Sequence, residues 1–536
     1  MGVVLALLAL GSGLELRQWL WKATTPTRFQ FDIGNGFRQA SRALTIAEEL
    51  RRTAGAGETK QDERLPLLWT LRGVKETYDR VYAEGKAANR FSLDYTPARL
   101  AVMTLWLREA RYREGQAGRP WPKRYLDEYV EPLLTFNTCM GALAAAAAFG
   151  MSRCWLRRQL ADANGLRREW TWIGSLLVAM AVWFNPGLLL NAHAWPQWDL
   201  WLLPWFFLGV WAASNKHWAT AGVMLGLAAM FKGQVLLTAP ALVVWALIGG
   251  KGAGLGRFAA GFALGWAALV WPWLVTEVRG TLLVAAWVGL GITFGLGARR
   301  RERLTSIASG ALLAGGLAVF IAGAKFHGSW SWYQVGFAFP TDHYLEMSLG
   351  PTSNLSAVLG RVYGWNINDP VEWAAVNGTA PTIRQLLRGV YLVASLFAGI
   401  MLARAAMRKD ATGVFCSLTA AWAVAFAVLP QMHERYLIWA GVVSALCVSS
   451  SASGMVLHLI TTALVTVMTY QQLLEVHPLY WPEMLRSLRR TCPHLGWVVL
   501  LVAGIWLWMS VGLGRRSSRQ LTKQGASAKT TGHQAA

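Results

Sequence analysis

Five short stretches of this chain hold side chains capable of acid–base and phosphate chemistry, and each borders or interrupts an apolar run. They are Phe31-Asp32-Ile33-Gly34, Leu93-Asp94-Tyr95-Thr96-Pro97-Ala98-Arg99, Asn185-Pro186 with Asn191 to Asp199, Phe231-Lys232-Gly233-Gln234, and Pro430 to Tyr436. A carboxylate such as Asp32 can take a proton from an acceptor hydroxyl and turn a poor nucleophile into a good one. Lys232 and Arg435 can neutralise a phosphate, Lys as a point charge and Arg through a planar fork. In a low-dielectric boundary such contacts strengthen and stabilise charge developing on a departing phosphate. The set describes movement of a group from a lipid phosphate to a hydroxyl at a membrane surface.

Each residue also has a purely structural reading. Asp32 suits an N-cap, Asp94 suits the turn before Pro97, and His193 suits a loop closure. His433-Glu434-Arg435 suits an interfacial ion-pair cluster, and His343, Tyr344 and Glu346 suit a structured loop. Lys232 is hardest to explain in that way, because an unpaired charge inside an apolar run costs about 2.5–3.5 kcal/mol. It is the joint occurrence of the five stretches that carries the expectation of a site.

The elements that must position these residues are membrane helices. The chain has 536 residues, of which 54% are hydrophobic, with 30 Trp and 53 Gly. The mean hydropathy is +0.32. Trp in this abundance fits aromatic belts at the membrane boundary, and Gly fits close helix packing in lipid. A span needs roughly 17–25 apolar residues, so the pattern predicts an all-α polytopic protein with roughly 12 to 14 spans. The candidates are residues 1–20, 131–151, 170–190, 200–214, 217–231, 235–250, 258–276, 280–297, 304–324, 385–404, 411–430, 436–451, 455–471 and 495–513. Between 190 and 250 the pieces are short, and re-entrant or broken segments are expected there. The first segment lacks a basic leader and a small-residue cleavage site before Arg17, so it reads as a retained span.

The net charge of +22 is carried largely by short connections: Arg153–Arg158, Arg167–Arg168, Lys251–Arg257, Arg299–Arg303, Arg404–Lys409 and the polar tail beyond Arg515. This is the positive-inside bias, and no nucleic-acid motif accompanies it. With the N-terminus cytoplasmic, residues 21–130, 325–384 and 472–494 fall outside. Helices along the interface are expected at 36–54 and 98–114, with a flexible insertion at 54–65. Residues 1–450 form the core, 451–515 the last spans, and the tail from 516 is polar. The five cysteines are scattered without a CxxC and indicate neither a disulfide framework nor a zinc site, a divalent metal is left open, and Lys251 to Gly256 lacks the strand and helix of a phosphate-cradling loop.

In their order, these stretches resemble the GT-C superfamily of polyprenyl-phosphate-sugar-dependent glycosyltransferases, over residues 1 to about 450. Bacterial multi-pass mannosyl- and glucosyltransferase-like proteins are similar, as are eukaryotic enzymes that extend lipid-linked oligosaccharides. Leu93-Asp94-Tyr95-Thr96-Pro97 is similar to L-D-Y-P-P, and His193 to Asp199 is similar to H-F-Q-Y-N. Phe231-Lys232-Gly233-Gln234 is similar to F-K-Q, and His433-Glu434-Arg435 to H-E-K.

The resemblance implies an inverting transfer with no cofactor, from a polyprenyl-phosphate-linked sugar to a glycan, lipid or protein acceptor, at the extracytoplasmic face of the plasma membrane. Asp32 would be the general base, and Asp94 a second carboxylate that orients the acceptor or supports the base. Lys232 and Arg435 would hold the donor phosphate. His433 would bond that phosphate or the sugar, and Gln234, Glu434, His193, Gln197 and Asp199 would complete the substrate site. This chain departs from the pattern with Thr96 inside the D-Y-x-P element and a longer loop between Asp32 and Asp94, which leaves both carboxylates open as the base. The rival from another class is a transporter or lipid flippase, which predicts inverted repeats and mid-bilayer polar residues near discontinuous helices. A non-catalytic envelope-assembly scaffold is the third reading, and it would tolerate neutralising Asp32, Lys232 and Arg435.

Overall fold

A computed structural model describes residues 2–24, 30–57, 60, 63–85, 91–118, 130–159, 165–276, 330–339, 346–375, 377–476 and 482–512. Among them the regular structure is helical, with only two isolated β-bridges. The first helix α1 (Gly2–Thr24) is followed by three helices of the first large loop, α2 (Gln30–Thr53), α3 (Leu67–Gly85) and α4 (Pro97–Gln116). The bundle then runs through α5 (Glu131–Gln159), α6 (Gly165–Trp183), α7 (Leu203–Ser214), α8 (Trp218–Phe231), α9 (Ala239–Gly249) and α10 (Ala253–Thr276). After a short helix α11 (Leu355–Arg361) come α12 (Ile383–Met407), α13 (Ala411–Val428), α14 (Ala452–Val476) and α15 (Pro482–Ser510).

Among the described residues seven helices are long and apolar enough to cross a membrane, and the chain is a polytopic helical membrane protein. Three shorter apolar helical segments, Asp199–Ser214, Trp218–Phe231 and Gly233–Gly249, occupy the region where broken spans were expected. A 3-10 turn at Asp199–Leu202 or Gly233–Thr238 opens two of them. The expected spans 280–297 and 304–324 lie outside the described residues, as do His343 and Tyr344.

Three expectations are corrected. Residues 436–451 are not one span but a 3-10 turn, a short helix Ile438–Val443 and a second 3-10 turn. Residues 472–494 are not a long loop, since α14 runs to Val476 and α15 begins at Pro482 and continues past Pro493. The opening helix is continuous over Gly2–Thr24 but carries Glu15, Arg17 and Gln18 after its apolar first half and is not among the seven. The helices expected at 36–54 and 98–114 are present as α2 and α4, and α3 between them packs on both.

Small residues set the helix contacts, as lipid requires. Gly222 and Gly226 of α8 face Gly261 and Gly265 of α10, and a Cβ at any of the four would strike backbone of the opposite helix. Helix α13 is buried on every side, so it is the post around which the bundle is built.

Helix direction separates two ends. Basic side chains finish α5 (Arg157, Arg158) and α12 (Arg404), and Lys216, Lys251 and Lys409 close turns at the same end. Arg158 caps α7 there, donating to the Ser214 carbonyl at 2.6 Å and to Asn215 Oδ1 at 2.7 Å. The acidic and aromatic stretches singled out by the sequence lie at the other end.

Candidate functional site

Helix ends deliver the site. Helix α6 stops before Asn185, whose side chain accepts from the Leu188 amide and caps the turn starting at Pro186. A π-helical turn, Leu190–Ala194, follows, and Pro196 and the 3-10 turn at Asp199 swing the chain back into the bundle. Such π turns are uncommon and gather at functional sites. Helix α8 breaks at Lys232, which is extended (φ −154°, ψ 113°) before a 3-10 turn restarts the chain toward α9.

The central helix α13 ends at Val428. Asn354 Nδ2 donates to the Phe426 and Leu429 carbonyls at 2.9 and 3.0 Å, satisfying acceptors at its end. The next residues are pinned by Gln431 N to the Met347 carbonyl (3.0 Å), Leu349 N to the Met432 carbonyl (3.1 Å) and Thr352 Oγ1 to the same carbonyl (2.8 Å). Pinning fixes where His433, Glu434 and Arg435 emerge.

These ends meet at Asp199, which is fully buried. Lys232 Nζ pairs with Asp199 Oδ1, and Arg435 Nε lies 3.3 Å from Oδ2. Asn191 Nδ2 donates to Oδ2 at 3.0 Å, and Trp439 Nε1 donates to the Asp199 carbonyl at 2.8 Å. Lys232 is therefore a paired charge, which removes the cost that made it conspicuous in the sequence.

Glu434 is buried beside this knot, with His433 Nδ1 and Arg435 Nη1 each 3.6 Å from its carboxylate. Burial alone would raise its pKa, but the neighbouring His433 and Arg435 outweigh burial and hold the carboxyl below the ordinary value. Aromatic faces close the knot: Tyr436 stacks on Trp439 with centroids 4.9 Å apart, and Lys232 Nζ sits 5.0 Å from the Tyr436 ring. Gln234 Nε2 donates to Tyr436 Oη at 3.3 Å. The charges of Asp199 and Glu434 match those of Lys232 and Arg435, and His433 at the edge is partly exposed.

The first loop docks on this end of the bundle through the second stretch. Thr96 Oγ1 donates to the Phe231 carbonyl at 2.9 Å, one residue before Lys232. Arg99 lies 3.7 Å over the Tyr95 ring and 3.9 Å over the Trp198 ring, next to Asp199 in sequence. Tyr78 of α3 donates to the Tyr95 carbonyl, and burial pushes its pKa well up, so the phenol keeps its proton. Gly336 lets residues 334–338 approach, since a Cβ there would lie 2.6 Å from that same carbonyl. Asp94 is half-buried at the start of this anchored turn. Asp32 lies in the first turn of α2, its side chain outside the described residues, and one turn later Gly36 abuts Trp198 and Met103.

The structure thus joins Asp199, Lys232, Gln234, His433, Glu434 and Arg435 directly. Gln197 contributes its carbonyl, which accepts from Asn137 Nδ2 at 3.1 Å. His193 sits beside the knot on α5, its Nε2 3.1 Å from Thr138 Oγ1. Two organising residues escaped the sequence reading, Asn137, which also accepts from Trp201 Nε1 at 2.6 Å, and Trp439, while Asn191 fell within the third stretch without a role of its own. A lone Asn in an alanine-rich span was the available signal for the first. Among the described residues no group of acidic, His and Cys side chains could hold a metal ion. No family model matches this sequence, and no curated protein matches it.

Proposed function

We propose that this protein is a membrane glycosyltransferase that moves a sugar, with inversion, from a polyprenyl-phosphate carrier to a hydroxyl of a lipid-linked glycan, an envelope polymer or a protein. The observation that carries the reading is the meeting of the D-Y-x-P turn, the His193–Asp199 stretch, Lys232 and His433-Glu434-Arg435 at one end of the bundle. Basic residues finish the helices at the opposite end, and under the positive-inside bias this supports an extracytoplasmic position for the site, in our reading of the plasma membrane. Asp32 or Asp94 takes the proton of the acceptor hydroxyl as its oxygen attacks the anomeric carbon. The bond to the phosphate oxygen breaks, and polyprenyl phosphate leaves. Cationic groups at this end of the bundle would meet the charge developing on that leaving group.

A second reading is favoured by a specific observation. Discontinuous helices surrounding buried charges are also what a transporter or flippase uses. One experiment separates the two. The protein in lipid nanodiscs is given radiolabelled polyprenyl-phosphate mannose, glucose or arabinose with an envelope-lipid extract, and released polyprenyl phosphate is counted for wild type, Asp32→Asn and Asp94→Asn. Turnover that one substitution abolishes supports the transferase and names its base. Turnover surviving both means the base lies elsewhere. Unconsumed donor that instead crosses the bilayer of a proteoliposome replaces the transferase with a flippase.

A further inference from the structure

We propose that the junction of α1 with α6 is an anion site that takes the phosphate head of an isoprenoid lipid arriving sideways from the bilayer. The inference rests on the transferase reading and deepens it by separating the donor-phosphate site from the Asp199 knot.

The carrying observation is Arg17. It lies in an apolar helix at 4% exposure, and no carboxylate pairs with it among the described residues. Its Nη1 donates to the Gly13 carbonyl at 2.9 Å and its Nη2 to the Trp183 carbonyl at 2.8 Å, while the guanidinium lies 3.3 Å over the Trp183 ring. These contacts orient the group but leave its charge uncompensated, and Nε has no hydrogen-bond partner. A lone buried cation is costly unless something negative joins it.

A second group at the same junction is also unfinished. His193 is 3% exposed and its Nδ1 has no partner. Thr138 Oγ1 gives its proton to the Leu134 carbonyl at 2.9 Å, so His193 Nε2 must be the donor in its 3.1 Å contact with Thr138. Nδ1 is then a bare lone pair that can accept from a ligand hydroxyl, or a second N–H once an anion favours its protonation. Thr138 and Gly141 are neighbours along α5, and Arg17 Nη2 lies 3.7 Å from where a Gly141 Cβ would be. The missing Cβ leaves room beside the guanidinium.

Position identifies the ligand class. Helix α1 turns Leu7, Leu8, Leu14 and Trp19 outward, and α6 does the same with Trp170 and Leu177. The niche therefore lies behind a lipid-facing wall, where a phosphate carried on a hydrocarbon chain can reach it. In the knot, by contrast, two cations already face two carboxylates.

The test uses the full-length protein in nanodiscs with farnesyl phosphate, farnesol and inorganic phosphate as probes, for wild type, Arg17→Met and Arg17→Lys. Losing charge-assisted bonds to one phosphate should weaken farnesyl phosphate on the order of 10- to 100-fold in Arg17→Met. Arg17→Lys, which keeps the charge without the fork, should fall between. Farnesol should bind all three alike, and inorganic phosphate should bind wild type far more weakly than farnesyl phosphate. Without ligand, Arg17→Met should melt above wild type, because a lone buried charge is gone. Equal farnesyl phosphate affinity in all three proteins, or a lower melting temperature for unliganded Arg17→Met, overturns the site while leaving the transferase standing. Inorganic phosphate binding as tightly as farnesyl phosphate makes it a free-anion site and overturns the lipid assignment. If wild type binds no farnesyl phosphate, the transferase reading falls with it.

Discussion

Replacing Lys232 by Met should destabilise the bundle by about 3 kcal/mol, and replacing Asp199 by Asn by about 5 kcal/mol. The range is that for removing one partner of a buried ion pair. The order follows from what each change leaves behind. Without Lys232, the Asp199 carboxylate still has Arg435 Nε at 3.3 Å and Asn191 Nδ2 at 3.0 Å. Without Asp199, two cations lose a shared counter-charge together, and only Glu434 remains, 3.6 Å from Arg435.

The double variant should cost about 5 kcal/mol rather than the roughly 8 expected of independent changes, a coupling of about 3 kcal/mol. Reversible unfolding in mixed detergent micelles, followed by far-UV circular dichroism, gives all four corners of the cycle. The same cycle on the exposed pair Arg64–Glu109 should give a far smaller coupling that shrinks further in 1 M salt, whereas the buried one should not. Coupling below about 0.5 kcal/mol at Asp199–Lys232, or a knot as sensitive to salt as the surface pair, would refute the claim that these charges are desolvated.

Three further outcomes follow from single contacts. The carboxyl of Glu434 is held below its ordinary value of 4.5, so its ionised form contributes stability above about pH 4.5 that is lost as the pH falls through the folded-state value. Glu434→Gln should flatten the acid limb of a melting-temperature profile below about pH 4.5, and an unchanged limb would discard that account. Gly222→Val drives a side chain into the Phe258 carbonyl of α10 and should cost about 2–3 kcal/mol, read by the same unfolding assay. Thr96→Val removes a bond to the Phe231 carbonyl worth about 1 kcal/mol and should speed proteolytic nicking of the first loop without changing unfolding of the bundle.

What could be read in advance followed from chemistry that is local in sequence. Residues 36–54 and 98–114 declared themselves helical because their apolar positions repeat at the spacing of a helix face. The breaks near 199 and 233 were visible as apolar pieces too short to span. The corrections arise where hydropathy is blind. Residues 436–451 are as apolar as a span, but the all-round burial of their neighbour α13 lets them fold as a short helix between 3-10 turns. Lys232 could be recognised as costly, but its partner Asp199 lies 33 residues away and no periodicity connects them. Arg17 was seen only as the end of an apolar run. Its lack of a counter-charge is a property of the packed bundle.

The balance of charge in the knot bears on how the site can work. The single negative charge of a phosphodiester donor arriving at Lys232 would have to compete with Asp199, already in contact and desolvated with it. Lys232 is also 3% exposed, and Arg435 only slightly more open at 8%. The knot is then best understood as a framework: it fixes the ends of α8 and α13 relative to the stretch after α6, and through Trp198 and Phe231 it fixes the turn carrying Asp94. Groups so held are preorganised, which is what a transfer between two bound substrates needs from a site whose carboxylates sit on a separate loop. The anion site proposed at Arg17 differs in this respect, since its buried guanidinium meets no carboxylate among the described residues and an arriving phosphate would have no pair to displace there.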